Sequence, residues 1–236
     1  MTRSGALGAA PDVSLRWPVR PSKPQIRVNV PDSGLDFGPV RCAWWPYRRG
    51  ESAEPRVRDW LAGVWGLPAD AVRTTRDTHG RPQLDGGPHH ADVNWSHSGD
   101  WLIAAAAEGA RVGIDLEMHQ PRPKALALAR RFFAADEAAA LAALADDPAA
   151  LQAAFTRLWC AKEAVLKAHG RGLSFGLHRL QFALDTDRDT ADAPVPRLLA
   201  CDPALGAPAD WHLRAWAPVP GALATLAWRA STIMPG

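Results

Sequence analysis

Seven consecutive residues, Arg111-Val112-Gly113-Ile114-Asp115-Leu116-Glu117, constrain the fold of this chain more tightly than any other stretch. Val112, Ile114 and Leu116 alternate with small or acidic residues, the two-residue period of a pleated strand. Gly113, Asp115 and Glu117 then share the opposite face. Two carboxylates on one strand face lie roughly 6.5–7 Å apart by backbone rise, within reach of one divalent cation. The spacing alone also allows both to point into water on an edge strand.

Composition sets the class. The chain has 236 residues, 47% of them hydrophobic and 22% charged, with a formal net charge of +2. One large domain or two small ones can bury a core at this length. The near-neutral balance gives no nucleic-acid footprint, although local basic clusters could still grip phosphates. The three cysteines, Cys42, Cys160 and Cys201, are scattered, with neither CxxC pairs nor metal-site spacing. That fits a reducing compartment and a buried structural thiol at Cys160. No window approaches the ~20 apolar residues of a membrane span, and the N-terminus lacks a signal-peptide core. A cytoplasmic location, with no membrane partner, is the expectation.

In chain order, residues 1–39 carry six prolines without sustained periodicity and read as an extended N-terminal extension. Val40 to Tyr47 reads as a first strand, placed at a sheet edge by Pro46. Glu54 to Trp65 is a helix, with Val57, Trp60, Leu61 and Val64 at helical spacing and a stop at Gly66. Strands follow at 72–76, 92–96 and 101–107, with breaks at 78–82, 86–88 and 97–100. The strand at 111–117 reads as the hairpin partner of 101–107. After Pro121 and Pro123 come alanine-rich helices at 124–133 and 136–145, then one from near Pro148 to His169, closed by Gly170. Strand-like runs at 180–184, 195–200, 211–217 and 222–228 complete the chain. Two successive helix-plus-strand groups give an α+β chain of two lobes, 40–118 and 119–236, with a cleft between them as the natural site.

The helix ending at Gly170 answers the strand. Phe155, Trp159 and Leu166 form a stripe at spacings of four and seven, and Lys162 falls on it, aimed inward. Glu163 sits at the stripe's margin and Lys167 four residues beyond. An ordinary surface pair between Glu163 and Lys167, with Lys162 snorkelling past the core, stays open on this helix alone. An inward lysine beside a marginal glutamate is equally the local rule-break of a functional site.

GIDLE at 113–117, WCAKEAVLK at 159–167 and NWSHSGDW at 94–101, with the turn Gly80-Arg81-Pro82 ahead of them and Gly170-Arg171-Gly172-Leu173-Ser174 behind, together resemble the Sfp-type 4′-phosphopantetheinyl transferases. The resemblance implies a pseudo-twofold monomer of two α+β lobes holding coenzyme A between them. It implies Mg²⁺-dependent transfer of the phosphopantetheine arm to a serine hydroxyl of an apo acyl or peptidyl carrier protein, releasing adenosine 3′,5′-bisphosphate. By motif, Asp115, Glu117 and Glu163 would hold Mg²⁺ against the pyrophosphate, a role suited to hard oxygen ligands. Lys167 would contact the pyrophosphate, His97 a coenzyme A phosphate, and Ser96 would add a hydroxyl. Glu163 is the candidate general base, although a carboxylate on Mg²⁺ is a poor one. Lys162 would place Glu163 or meet a phosphate.

The chain departs from the family pattern in two places. Arg81 replaces the lysine of Gly-Lys-Pro, exchanging a point cation for a planar fork. Arg76 stands where some relatives place a coenzyme-binding arginine, though a solvated strand-end arginine reads as well. The region between the first strand and the first helix is also shorter than in relatives, which draw basic contacts to the 3′-phosphate from it; Arg48, Arg49, Arg56 and Arg58 are the local substitutes. Two rivals share these residues. A different Mg²⁺-dependent phosphotransferase would need its own phosphate loop, and GxxxxGK[ST] does not occur. A non-catalytic carrier-binding module would have no use for Asp115, Glu117, Glu163 and Lys167 together.

Overall fold

The structure, a computed structural model, describes residues 34–184 and 195–231. In chain order the elements are β1 (Gly34–Phe37), β2 (Val40–Pro46), α1 (Glu54–Trp65), β3 (Arg73–Arg76), β4 (Pro82–Asp85), β5 (Ala91–Ser98), β6 (Trp101–Glu108) and β7 (Ala110–Met118). Then come α2 (Ala125–Phe132), α3 (Ala135–Ala142), α4 (Pro148–His169), β8 (Leu180–Ala183), β9 (Arg197–Cys201), β10 (His212–Trp216) and β11 (Ala222–Ala230). The mixed α+β class matches the expectation. Through residue 33 the anticipated N-terminal extension lies outside the described residues. Its last part does not stay extended and alone: Gly34–Phe37 pairs antiparallel with β2.

Two antiparallel sheets form the centre, one in the order β1-β2-β6-β5 and the other β10-β11-β7. Two corrections to the sequence reading follow. β2 lies between β1 and β6, not at an edge, because Pro46 is its last residue and removes no interior hydrogen bond. β7 is not the ladder partner of β6; it pairs with β11 from Ala110↔Ala230 to Met118↔Ala222. The chain leaves one sheet and enters the other at Gly109, which adopts φ 71°. Physically, the apolar row of β7 is better used face to face than edge to edge. Val112, Ile114 and Leu116 pack against Val40, Cys42, Ile103 and Ala105 of the first sheet in one buried cluster. The other face of the first sheet is covered by α1 through Val57, Trp60 and Leu61.

α4 covers the opposite face of β7. Its start is set by Asp147, whose side chain accepts from Ala149 and Ala150 backbone N–H groups, with Pro148 in the first turn. Gly170 ends it in the left-handed conformation. Helix and strand approach so closely that a Cβ on Gly113 would lie 2.1 Å from the Ala164 carbonyl oxygen and 2.4 Å from the Ala168 nitrogen.

β5 joins β7 in an uncommon way. The two strands lie side by side but are not laddered; instead polar side chains at every second position of β5 serve β7. Asp92 accepts from Val112 N–H at 2.8 Å, Asn94 from Ile114 N–H at 3.0 Å, and Ser98 from Met118 N–H at 3.1 Å. The strand therefore runs on through Ser98, past the break expected at His97.

Buried charges tie the remaining elements together. Arg81 is 4% exposed. It makes a bidentate pair with Asp92 at 2.9 and 2.6 Å and donates also to the carbonyls of Pro82, Val112 and Lys167. Those contacts consume all five guanidinium N–H donors. Lys162, 0% exposed, points away from the strand carboxylates. It pairs with Glu137 at 2.7 Å and donates to the carbonyls of Leu177 and Leu180. Glu137 in turn accepts from the N–H groups of Ala134 and Phe182, so α3, α4 and β8 meet on one satisfied pair.

Gly113→Ala is expected to lower stability by about 3 kcal/mol in urea denaturation, since neither backbone can give way. Arg81→Met and Lys162→Met each strand a buried carboxylate and are expected to cost about 3–5 kcal/mol. A loss below about 1 kcal/mol in either would contradict the pairing described.

Candidate active site

The second face of β7 meets α4 at the carboxylates. Asp115 is 5% exposed, and its Oδ1 accepts from Ser96 Oγ at 3.0 Å and from Lys167 Nζ at 2.6 Å. Lys167 also donates to Ser96 Oγ at 2.8 Å, closing a triangle between β5, β7 and α4. Asp115 Oδ2 is buried with no hydrogen bond of ordinary geometry, and the Cys160 thiol lies against the Asp115 carboxylate. Glu117 receives Arg122 at 2.5 Å and, more weakly, Ser98 Oγ at 3.5 Å. Glu163 stands one turn before Lys167 on α4 and is buried.

The electrostatics register how close these groups are. Burial, then the Asp115 charge, pushes Glu163 up to about 7, with Lys167 pulling the other way and Glu117 adding to the rise. Burial and the neighbouring Asp115 charge likewise raise Glu117, against the pull of Arg122. Burial works against the Lys167 ammonium, but Asp115 outweighs it and holds the group above an ordinary lysine. Acids that raise one another beside an unpartnered carboxylate oxygen form a site short of positive charge. As the side chains stand, no three His, Cys, Asp or Glu groups among the described residues converge tightly enough to grip an ion. Mg²⁺ does not demand that: it commonly takes one or two protein carboxylates and completes its shell with water and phosphate. The hard-oxygen donor set and the orphaned Oδ2 fit such an ion.

Beside the triangle opens a cleft of about 410 Å³, with Tyr47, Arg76, Trp95, Ser96, His97 and Lys167 in its wall. His97 is exposed and stacks on Tyr47 with ring centroids 5.0 Å apart. Arg76 lies over Trp95 at 5.3 Å and is steadied by Glu54 at 3.1 Å and the Gly80 carbonyl at 2.8 Å. Arg76, His97 and Lys167 share the wall with Glu51 and with Glu54, the partner of Arg76, so the opening is of mixed charge, with side chains that could meet a phosphorylated ligand next to the acids.

Of the residues singled out in the sequence, Ser96, His97, Asp115, Glu117, Glu163, Lys167 and Arg76 come together around this cleft and the carboxylates. Arg81 and Lys162 do not. Neither has an N–H left for a ligand, and each serves a buried acid that sequence spacing could not pair with it: Asp92 for Arg81 and Glu137 for Lys162. None of Arg48, Arg49, Arg56 and Arg58 is among the described residues lining the cleft. Cys160 is fully buried, its thiol held well above the ordinary value by burial and facing the Leu223 carbonyl, as expected of a structural thiol. The sequence reading passed over Arg122 and the row Asp92, Asn94, Ser98. The row does carry a signal, a short polar residue at every second position through Asp-Val-Asn-Trp-Ser-His-Ser.

Comparison with known proteins finds similarity over this part of the chain. The model of the 4′-phosphopantetheinyl transferase superfamily matches residues 111–217, which include β7 and α4. A 4′-phosphopantetheinyl transferase of Bacillus pumilus is 37% identical over 141 residues, 59% of this chain and 58% of that protein. The Sfp enzyme of Bacillus subtilis is 34% identical over 131 residues, 56% of each chain. HetI of a Nostoc species is 33% identical over 141 residues, 58% of this chain and 57% of that protein. The chain thus spans somewhat over half the length of these curated relatives. The matched stretch holds Asp115, Glu117, Glu163 and Lys167 in the arrangement described above, and over it the chain is similar to the Sfp-type 4′-phosphopantetheinyl transferases.

Proposed function

We propose that this chain moves the 4′-phosphopantetheine arm of coenzyme A onto a serine hydroxyl of an apo acyl or peptidyl carrier protein, releasing adenosine 3′,5′-bisphosphate. The observation that carries the reading is that Asp115, Glu117 and Glu163, from two distant segments, lie near enough for their charges to raise the pKa of Glu117 and Glu163, with Lys167 bound to Asp115 and a cleft bearing Arg76 and His97 alongside. In the reaction the serine oxygen, giving up its proton to a base, forms a bond to the β-phosphorus of coenzyme A while the bond from that phosphorus to the bridging oxygen breaks, the oxygen and its electron pair leaving on the α-phosphate of the nucleotide.

Each side chain has a distinct task in this scheme. Lys167, His97 and Arg76 draw the diphosphate and nucleotide phosphates into the cleft and hold them in line with the acceptor. Ser96 fixes the Lys167 ammonium and the Asp115 carboxylate in one geometry, so neither has to reorganise as charge develops. Asp115, Glu117 and Glu163 are the residues that would hold Mg²⁺, which when bound neutralises negative charge on the diphosphate. Glu163 is the candidate to accept the serine proton, directly or through water, a role open to it only while it is not a ligand of the ion.

The two central sheets, each backed by its own helix, support the view of the chain as two α+β lobes, 40–118 and 119–236, related by a pseudo-twofold axis, with β7 of the first lobe laddered into the sheet of the second. No helix among the described residues is long and apolar enough to cross a membrane. A cytoplasmic monomer acting on a soluble carrier fits these features.

The test is an intact-mass assay with the full chain, coenzyme A, Mg²⁺ and a panel of apo carriers. A gain of one phosphopantetheine arm on the acceptor serine is expected, and carrier binding with no mass gain would favour a non-catalytic module. Asp115→Asn and Glu163→Gln are each expected to lower kcat/KM about a hundredfold or more, with circular dichroism unchanged. Chelation by EDTA should abolish turnover and added Mg²⁺ restore it; undiminished turnover after chelation would remove the metal from the scheme.

A further inference from the structure

Among the described residues, two buried polar atoms without a hydrogen-bond partner belong to neighbours. Thr225 lies on β11 directly opposite Asp115 on β7. Thr225 is 1% exposed and Asp115 5%, and neither Thr225 Oγ1 nor Asp115 Oδ2 has a partner of ordinary geometry. Directly opposite residues of an antiparallel pair share a face with their Cβ atoms roughly 4.5–5.5 Å apart, so both side chains point toward α4 within reach of each other. The row to which Thr225 belongs is otherwise apolar. Leu223 and Ala227, two positions to either side, each sit in a hydrophobic cluster with residues of α4. A third polar group, the Cys160 thiol, lies against the Asp115 carboxylate, but its single weak proton goes to the Leu223 carbonyl at 3.6 Å. One hydroxyl proton and one carboxylate oxygen are left side by side under the helix, each at the cost of its own desolvation.

We propose that Thr225 is a positioning residue for Asp115, its hydroxyl donating to the carboxylate oxygen that Lys167 and Ser96 do not hold. As the side chains stand the two atoms are unjoined, and a turn of Thr225 from one staggered χ1 position to another brings the hydroxyl to Oδ2. With Oδ1 anchored by Lys167 and Ser96 and Oδ2 by Thr225, the carboxylate is fixed at both oxygens and cannot swing about its own axis. A carboxylate oxygen has two lone pairs, so the one that accepts from Thr225 keeps a second for a cation. The positioning role rests on the reading of Asp115 as part of the cation site; the hydrogen bond itself does not.

Urea unfolding of the full chain in EDTA tests the bond without metal or substrate. Thr225→Val keeps the shape of the side chain and removes only the hydroxyl. T225V is expected to lower the folding equilibrium constant about tenfold, the loss of a hydrogen bond to a charged group. In an Asp115→Ala background the same change is expected to be neutral or stabilising, because the hydroxyl then has no acceptor to lose. A folding constant unchanged or raised in T225V alone overturns the proposal whether or not D115A folds, and so does an equal loss in both backgrounds. Turnover then separates positioning from packing. With coenzyme A, Mg²⁺ and an apo carrier, T225V is expected to lower kcat about tenfold while KM for coenzyme A stays within about twofold, and Thr225→Ser to recover most of the wild-type kcat. Wild-type kcat in T225V would reduce Thr225 to a packing contact and sink the positioning role alone. No transfer by the wild-type chain would sink the proposed function and that role with it, the unfolding cycle still deciding the hydrogen bond.

Discussion

The hydrogen bonds between β5 side chains and the β7 backbone are the constraint on which the rest of this molecule depends. A strand edge must satisfy its N–H groups, and the usual means is another strand. Here Asp92, Asn94 and Ser98 do it from alternate positions, so the two strands lie together without merging their sheets. The second sheet is then free to fold face to face onto the first and bury Val112, Ile114 and Leu116 between them. Ser96, the remaining member of the row, turns its hydroxyl to the Asp115 carboxylate instead of to the backbone. One polar row thereby joins two sheets and leaves one of its members to the acids.

Arg81 reinforces the same seam from behind. It grips Asp92, which grips the Val112 N–H, and it reaches the Lys167 carbonyl near the end of α4. The position of the Lys167 ammonium relative to Asp115 is thus governed by buried contacts outside the cleft. Gly113 supplies the other half of that placement, since only a residue without a side chain lets α4 lie so near the strand. The distance between the acids of β7 and Glu163 of α4 is a packing distance before it is a chemical one.

Much of this was legible in the sequence, and the failures have physical causes. The alternation of β7, the stripe on α4 and the family motifs led to Asp115, Glu117, Glu163, Lys167, Ser96 and His97, because periodicity fixes which side chains share a face. Periodicity does not say what waits on that face. Lys162 reads as an inward cation and Arg81 as a ligand-binding turn residue, yet each finds an acid rather than a phosphate, and Glu137 and Asp92 are remote enough in the chain that only the tertiary fold pairs them. Sheet membership was unreadable for a similar reason. β6 and β7 are neighbours joined by a tight turn, and nothing local distinguishes a hairpin from a crossing between sheets. β1 was hidden because a proline-rich surrounding masked four residues whose order comes from pairing with β2.

β7 presents hydrocarbon to one neighbour and acid to the other, with no residue indifferent to which way it points. A slip of a single position against β11 would exchange the two rows, driving a pair of carboxylates into the space between the sheets and setting valine, isoleucine and leucine against α4. Correct register is therefore tested twice by the same strand, once by solubility and once by chemistry. A chain paired wrongly at this point forfeits both together and cannot persist as a sound but idle molecule.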